Sequence, residues 1–136
     1  MAYWLYKSEP STYSISDLKR DKKTNWNNVR NFQARNNLRK AKKGDLAFIY
    51  HSGDDKAVVG IAIVLREGYI DPDPEGGDWT QIDIGFKEEL KKPVTLAEIK
   101  KTDALKDIPL IKQSRLSCMP LDEKHFKAIL KLGCSL

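Results

Sequence analysis

Several classes of protein are excluded by what this sequence lacks. It has only two cysteines, Cys118 and Cys134, which lie far apart without CxxC spacing, so we expect free thiols and no metal site. No apolar run approaches the roughly 20 residues that span a bilayer. The first residues, MAYWLYKSEP, show no charged leader before an apolar core and so differ from a signal peptide. We therefore expect a cytoplasmic protein without membrane contact.

The motifs of common catalytic and cofactor sites are also absent. There is no glycine-rich phosphate loop, HExxH or GxSxG, so no cofactor is expected. His125 falls in a predicted helix and is expected at the surface. His51 stands beside Ser52, but adjacent strand residues point to opposite faces, so the imidazole would not face the hydroxyl. We predict no catalytic residue and a protein that is not an enzyme, with a weak nuclease or hydrolase as a less favoured alternative.

Positive charge is concentrated in one segment, residues 19–43. The whole sequence has a formal charge of +5, whereas this segment contains ten lysines or arginines and one acid, Asp21, for a charge of +9. The remainder of the chain therefore sums to −4. Such localisation favours contact with a polyanion such as nucleic acid over general solubility. The alternative is an ordinary solvated helix face.

The basic segment contains a predicted helix that begins after Asn31, whose side chain can accept an otherwise unpaired backbone N–H. Ala34, Leu38 and Ala41 recur on one side of this helix and form a narrow apolar stripe. We expect the helix to end at Gly44. Cations on its other surfaces are suited to hold phosphates, and the predicted phosphate-binding residues are Arg30, Arg35, Arg39, Lys42 and Lys43.

Two aromatic residues stand close to these cations. Phe32 falls on the same side of the helix as Arg35 and Arg39, and Trp26 lies in an Asn-rich turn before the helix. An aromatic ring among guanidinium groups suits an exposed base and its phosphates. We therefore predict that Trp26 stacks on a bound base. The alternative is that Trp26 folds back to cover the core.

Short runs of β-branched and aromatic residues predict a sheet. Residues 56–66 are the most hydrophobic run and are predicted to pair as a hairpin with the run before them. Gly60 inside this run indicates a bulge or a close backbone approach, and Pro120 is expected to end the last strand. The predicted strands are residues 3–7, 45–52, 56–66, 79–86 and 113–119.

Capping patterns predict further helices. Ser14 with Asp17 and Thr95 with Glu98 each resemble a capping box, and Asp122 precedes a final amphipathic helix. No alternation of strand, helix and strand supports a parallel sheet. We predict one α+β domain over residues 1–136, with a small antiparallel barrel-like sheet of five or six strands and about four short helices.

Polar residues cluster where the predicted strands begin or end. Ser8 and Glu9 end the first strand, His51 and Ser52 end the second, and residues 114–115 begin the last. In a small barrel the strand ends gather at a rim, where ligand sites are common. The alternative for each of these residues is ordinary turn chemistry.

The motifs described here resemble those of the EVE domain family. The resemblance rests on KSEP at 7–10, WNNVRNFQARN at 26–36, YHS at 50–52, Trp79 and QSRLS at 113–117, and it covers nearly the whole chain. It implies a PUA-like fold, a small β-barrel flanked by helices, in agreement with the pattern above. It also implies an aromatic-walled pocket for a modified base and an association with modified cytosine in DNA.

Carried over residue by residue, the resemblance places a base pocket in this sequence. Trp26 would stack on the base face, while Asn28 and Ser52 would bond its Watson–Crick edge. The residues implied at or near the pocket are Ser8, Glu9, Trp26, Asn28, Val29, Arg30, Asn31, Tyr50, His51, Ser52, Trp79, Ser114 and Arg115.

The predicted function is therefore that of a non-enzymatic, monomeric nucleic-acid-binding protein that reads a modified base, with modified cytosine in DNA as the expected target. Recognition of modified tRNA or other RNA is the alternative. Two departures from the family stand out. The loop at residues 71–77 looks short, which bears on substrate preference. The basic N-terminal extension of the nuclear members is missing, which favours a bacterial-type cytoplasmic protein.

Overall fold

One mixed sheet organises residues 1–133, the part of the chain that the computed structural model describes. In these residues the strands are β1 (Tyr3–Ser8), β2 (Lys23–Trp26), β3 (Leu46–His51), β4 (Ala57–Ile70), β5 (Thr80–Thr95) and β6 (Cys118–Leu121). They lie in the order β2-β5-β4-β3-β1-β6. The two longest strands, β4 and β5, form an antiparallel hairpin near the middle of the sheet.

Strands β1 and β3 run parallel, whereas the sequence predicted an antiparallel sheet. Tyr6 lies opposite Ile49, and Ser8 lies opposite His51. A parallel pair needs a long crossover, and here the crossover contains two helices and β2. The carboxyl ends of β1 and β3 therefore meet at the same edge of the sheet. The predicted class, a PUA-like α+β fold with a barrel-like sheet, is confirmed.

Five α-helices and one 3₁₀ turn surround the sheet within residues 1–133. Both predicted capping boxes are present: Ser14 with Asp17, and Thr95 with Glu98. None of the helices in this part of the chain is long and apolar enough to cross a membrane. The helices are α1 (Ile15–Asp21), α2 (Phe32–Lys40), α3 (Leu96–Lys101), α4 (Pro109–Lys112) and α5 (Glu123–Leu132), and the 3₁₀ turn spans Asp103–Leu105.

The core is an aromatic and aliphatic layer between the sheet and its helices. Phe126 of α5 stacks on Phe48 of β3, with 4.1 Å between ring centroids, and also contacts Tyr3 at 4.5 Å. Trp4 is buried, and its indole N–H donates to the Asp45 carboxylate over 3.0 Å. Stacked and tilted ring pairs of this kind contribute stability beyond the apolar area they bury.

Gly60 is a close-packed position, as its sequence context indicated. The register between β4 and β5 shifts between Val58 and Gly60, and a Cβ atom at Gly60 would overlap the Ile15 side chain. The same Cβ would lie 3.0 Å from the Glu88 carbonyl oxygen. The missing side chain therefore lets α1 pack directly on β4.

Several predicted boundaries were wrong. Strand β2 was missed, because it spans only four residues, three of them polar, and only Trp26 among them is buried. Residues 113–117 form a turn rather than the start of a strand, and Pro120 lies inside β6 rather than ending it. A proline is tolerated there because β6 is an edge strand. Helix α2 ends at Lys40 with Ala41 as its cap, before Gly44.

Cys118 is buried in β6, and burial raises the pKa of its thiol to about 12. A thiol with so high a pKa carries almost no thiolate at neutral pH, so this cysteine acts as a small core residue. Cys134, the other predicted free thiol, lies outside the described residues.

Candidate nucleic-acid interface

A cleft opens where β1 and β2 end, and its volume is about 420 Å³. Residues from three places form its wall: the end of β1 with the loop after it, β2 with the loop that leads to α2, and Ser117 just before β6. Pockets for small ligands commonly measure about 300–1,000 Å³. The cleft is lined by Lys7, Ser8, Glu9, Thr12, Tyr13, Thr24, Asn25, Trp26, Asn27, Asn28, Val29, Arg30 and Ser117.

Trp26 belongs to the cleft and to the core at the same time. It lines the cleft, yet it is only 9% exposed, and its ring lies 6.0 Å from the ring of Tyr6. Strand pairing with Ile82 holds its backbone in the sheet. The sequence predicted a tryptophan in an open turn. The structure instead shows a fixed aromatic wall with limited accessible surface.

The loop after Trp26 is held in place by a buried carboxylate, Asp71. Asp71 accepts hydrogen bonds from the backbone N–H of Asn28 and from the Arg30 guanidinium, both over 2.9 Å. Arg30 also donates to Asp73 over 3.0 Å. The hydrogen bond to Asp71 raises the pKa of Arg30 above its ordinary value. Burial lowers this pKa, but the negative charges of Asp71 and Asp73 add to the increase. Asn28 has a φ of 61°, a left-handed conformation that asparagine tolerates better than most residues.

Lys7 and Ser8 form the side of the cleft that β1 contributes. Partial burial lowers the pKa of Lys7, whose ammonium donates to the Ser114 carbonyl over 2.7 Å. Ser8 donates through its hydroxyl to the Tyr13 carbonyl over 2.6 Å. These bonds tie the end of β1 to the segments on both sides of it.

The Tyr50-His51-Ser52 motif lies behind the cleft and does not line it. Tyr50 is buried, and the Nε2 atom of His51 accepts the backbone N–H of Ile15 over 3.0 Å. His51 Nδ1 faces Asp55 at 3.2 Å, so both ring nitrogens have structural partners. Ser52 donates its backbone N–H to the Ser8 carbonyl over 2.9 Å. The motif thus positions α1 and Ser8. Since none of its three residues lines the cleft, their direct contact with a base stays a prediction.

Three other predicted pocket residues line a separate groove. Asn31, Ser114 and Arg115 border a depression of about 360 Å³ together with Gln33 and Lys112. Asn31 is also the N-cap of α2, since its side-chain oxygen accepts the Ala34 N–H over 2.9 Å. This groove is polar and basic, and it shares no lining residue with the cleft.

Trp79 also lies apart from the cleft, on the outer side of α2. Its indole stacks on Phe32, with ring centroids 5.4 Å apart and planes 11° from parallel. The Arg30 guanidinium lies 5.3 Å from the Trp79 ring, so Arg30 borders both the cleft and this aromatic pair.

Most of the predicted phosphate-binding cations have partners within the protein. Arg39 pairs with Asp78 and donates to Thr80, while Lys42 lies 3.9 Å from Glu67. Arg35 instead donates to uncharged oxygens, those of the Asn36 side chain and the Asp78 backbone. Lys43 is exposed, and its backbone N–H donates to Glu67. Direct contact of these cations with phosphate therefore remains a prediction.

Seven residues of the cleft were not among the predicted site residues. Three of them lay within motifs already singled out: Lys7 in KSEP, Asn27 in WNNVRNFQARN and Ser117 in QSRLS. Thr24 and Asn25 enter the cleft because they belong to β2, whereas Thr12 and Tyr13 lie in the loop between β1 and α1. The seven residues are Lys7, Thr12, Tyr13, Thr24, Asn25, Asn27 and Ser117.

The fold and the cleft together define a PUA-like domain. A structure of an ASCH protein from Zymomonas mobilis shares the fold, with a TM-score of 0.61 at 11% identity over 96% of this chain and 95% of that chain. The family model of the EVE domain matches residues 2–132. The chain therefore belongs to the EVE domain family.

Two relatives and two solved structures show how close this kinship is. Thymocyte nuclear protein 1 is 36% identical in chicken (Gallus gallus) and 33% in human, over 96% of this chain and 68% and 73% of those proteins. An NMR structure of a protein from Rhodopseudomonas palustris has a TM-score of 0.93 and 41% identity, covering 100% of this chain and 95% of that one. Human thymocyte nuclear protein 1 (THYN1) was crystallised with DNA that contains 5-methylcytosine. That structure has a TM-score of 0.90 at 31% identity over 98% of both chains.

Proposed function

We propose that this protein binds nucleic acid without catalysing a reaction, and that the cleft beside Trp26 accepts one modified base, with modified cytosine in DNA as the preferred target. The observation that carries the proposal is the likeness to human THYN1, crystallised with DNA containing 5-methylcytosine. The size of the cleft and its aromatic wall, Trp26, suit a single planar base.

The groups at the mouth of the cleft suit a cytosine edge. Cytosine presents an N4 donor beside ring and carbonyl acceptors, and an asparagine side chain carries both a donor and an acceptor. Asn27 and Asn28 are exposed and line the cleft. The bond from the Asn28 backbone N–H to Asp71 fixes the backbone of this residue at the mouth of the cleft.

The proposal that the protein is not an enzyme draws support from the partners of His51 and Ser52. The His51 Nε2 atom that would act as a base accepts the N–H of Ile15 instead. The Ser52 hydroxyl donates to the Ser8 carbonyl over 3.3 Å, away from His51. Neither residue lines the cleft.

The proposal is tested by measuring the affinity for matched single-stranded oligonucleotides. They carry one central cytosine, 5-methylcytosine, 5-hydroxymethylcytosine or N6-methyladenine, in DNA and in RNA versions. We expect the tightest binding to DNA with a modified cytosine. Preference for the RNA series would favour the RNA-binding alternative, because the 2′-hydroxyl is what separates the two. Equal affinity for modified and unmodified oligonucleotides would refute the base-reading proposal.

A variant of Asn28 links this preference to the cleft. Asn28→Gly removes the side-chain amide but keeps the left-handed backbone that position 28 requires. We expect this variant to bind modified and unmodified DNA alike, while its weak binding to any DNA persists. Lys124→Ala is the matched control, since Lys124 is exposed on α5 and does not line the cleft. Loss of preference in the control, or unchanged preference in Asn28→Gly, would contradict the assignment.

A further inference from the structure

Two stacked aromatic side chains, the exposed Phe32 and the half-buried Trp79, lie outside the core and next to Arg30, which also lines the cleft. Phe32, the first residue of α2, is 67% exposed, although one face of its ring covers Trp79. The two rings are nearly parallel, with centroids 5.4 Å apart. At this exposure, most of the Phe32 side chain outside its contact with Trp79 is accessible to solvent. We call Phe32 and Trp79 the aromatic platform.

The protein holds the platform rigidly. Arg35 donates to the Asp78 carbonyl over 3.0 Å, and Arg39 pairs with the Asp78 carboxylate, so the residue before Trp79 is tied to α2. Gly77 packs against the indole, since a Cβ there would lie 2.5 Å from the Trp79 Nε1 atom. A preorganised ring pair of this kind loses little conformational entropy when a ligand stacks on it.

Guanidinium groups surround the platform. The Arg35 guanidinium lies 5.1 Å from the Phe32 ring and 5.9 Å from the Trp79 ring, and Arg30 lies 5.3 Å from Trp79. Exposed rings among cations suit a nucleobase whose phosphates lie alongside, because each base has a stacking face and each linkage carries a negative charge. The same surroundings are unfavourable for a purely apolar partner, which would have to desolvate the cations.

We propose that the free face of Phe32 stacks a second nucleobase, a neighbour in the strand of the base that enters the cleft. The inference rests on the proposed function and extends it to a second subsite. Arg30 connects the two subsites, since it lines the cleft and contacts Trp79. Because stacking is tolerant of base identity, the platform supplies affinity while the cleft supplies the preference for a modified base.

The test compares Phe32→Ala, Phe32→Tyr and the control Ile70→Ala. Ile70 is also a large exposed apolar residue, at 78%, and lies at the end of β4 near Trp79. Affinities are measured for a short single-stranded DNA with one 5-methylcytosine, for the same DNA with unmodified cytosine, and for versions with an abasic site directly 5′ or 3′ of that position. Thermal unfolding of each variant checks the fold.

We expect Phe32→Ala to weaken binding of the intact oligonucleotide by roughly 5- to 150-fold, the range measured for base–aromatic stacking. Phe32→Tyr and Ile70→Ala should bind like the wild type. One of the two abasic sites should weaken wild-type binding by a similar factor and should not weaken Phe32→Ala further. The ratio of affinities for modified and unmodified cytosine should stay the same in Phe32→Ala.

Two outcomes would overturn the platform proposal. One is unchanged affinity in Phe32→Ala. The other is that Phe32→Ala lowers the affinity for intact and abasic oligonucleotides by the same factor, which would mean that Phe32 acts only by covering Trp79. Failure of the proposed function is seen separately, as a wild-type protein that does not distinguish 5-methylcytosine from cytosine. In that case a loss that depends on the neighbouring base would still support stacking on Phe32.

Discussion

At the scale of single residues, a few buried polar groups hold the parts of the domain together. Asp45 is 4% exposed and accepts hydrogen bonds from the Trp4 indole, the Ala2 N–H and the Lys42 N–H over 2.8–3.0 Å. Burial alone would raise the pKa of Asp45, but these hydrogen bonds outweigh it and hold the pKa below its ordinary value. Asp71 likewise holds the loop at the cleft, through its hydrogen bonds with the Asn28 N–H and the Arg30 guanidinium.

Asp45→Asn tests this role through the pH dependence of stability. An acid whose pKa is lowered on folding contributes stability that is fully present above its unfolded pKa of about 3.9 and is lost as pH falls through the folded value. We expect Asp45→Asn to lower the free energy of unfolding by about 1.5–3 kcal/mol at neutral pH, because the hydrogen bonds to Asp45 involve a charged group. Urea unfolding at a series of pH values should show this difference shrinking in acid.

The matched control is Asp54→Asn, because Asp54 is exposed in the turn between β3 and β4. It should be close to the wild type at every pH. A difference between wild type and Asp45→Asn that stays constant from neutral to acid pH would contradict the charged role of Asp45.

At the scale of secondary-structure elements, the packing of α1 on the sheet depends on Gly60. Gly60→Val should lower the free energy of unfolding by about 1–3 kcal/mol, because the added atoms overlap Ile15 and crowd the Glu88 carbonyl. The measurement is chemical denaturation. Leu65→Val, on the exposed side of the same strand, should change stability by less than about 0.5 kcal/mol.

A double-mutant cycle separates the clash with Ile15 from other effects at Gly60. Ile15→Ala removes the atoms nearest to the added Cβ. The combination of Gly60→Ala with Ile15→Ala should therefore cost less than the sum of the two single changes. Strict additivity would place the cost of the substitution in the backbone of β4 instead.

At the scale of the whole molecule, ion pairs within the protein neutralise part of the positive charge of residues 19–43. Residues 19–43 carry a charge of +9, but Arg30 and Arg39 pair with Asp71, Asp73 and Asp78, which come from outside that segment. The effective positive field is therefore smaller than the sequence implies. Arg35 is bonded to uncharged oxygens and keeps its charge available to a phosphate.

This difference predicts unequal salt effects for two neighbouring arginines. Arg35→Ala should reduce the slope of log affinity against log salt by roughly 0.7, the value for one lost phosphate contact on a single strand. Arg39→Ala should change the slope less, because Asp78 already neutralises Arg39. Salt titrations with single-stranded DNA measure both slopes. Unchanged slopes in both variants would mean that the basic face of α2 is an ordinary solvated surface and does not contact phosphates.

Local patterns in the sequence determined much of the domain. The helix caps at Ser14, Asn31 and Thr95 were predictable because each depends on residues within one helical turn. The apolar runs of β3 and β4 and the close packing at Gly60 were predictable for the same reason. The resemblance to the EVE family, rather than a local pattern, assigned to one pocket six residues that line the cleft: Ser8, Glu9, Trp26, Asn28, Val29 and Arg30.

The way in which distant segments meet could not be predicted from the sequence. The parallel pairing of β1 with β3 puts His51 and Ser52 behind Ser8, where they support the cleft without lining it. The pairing of β2 with β5 buries Trp26, and the contact of Trp79 with Phe32 moves that indole to a separate surface. Each outcome depends on partners more than 40 positions away in the chain, and residue-by-residue patterns carry no information about such pairings.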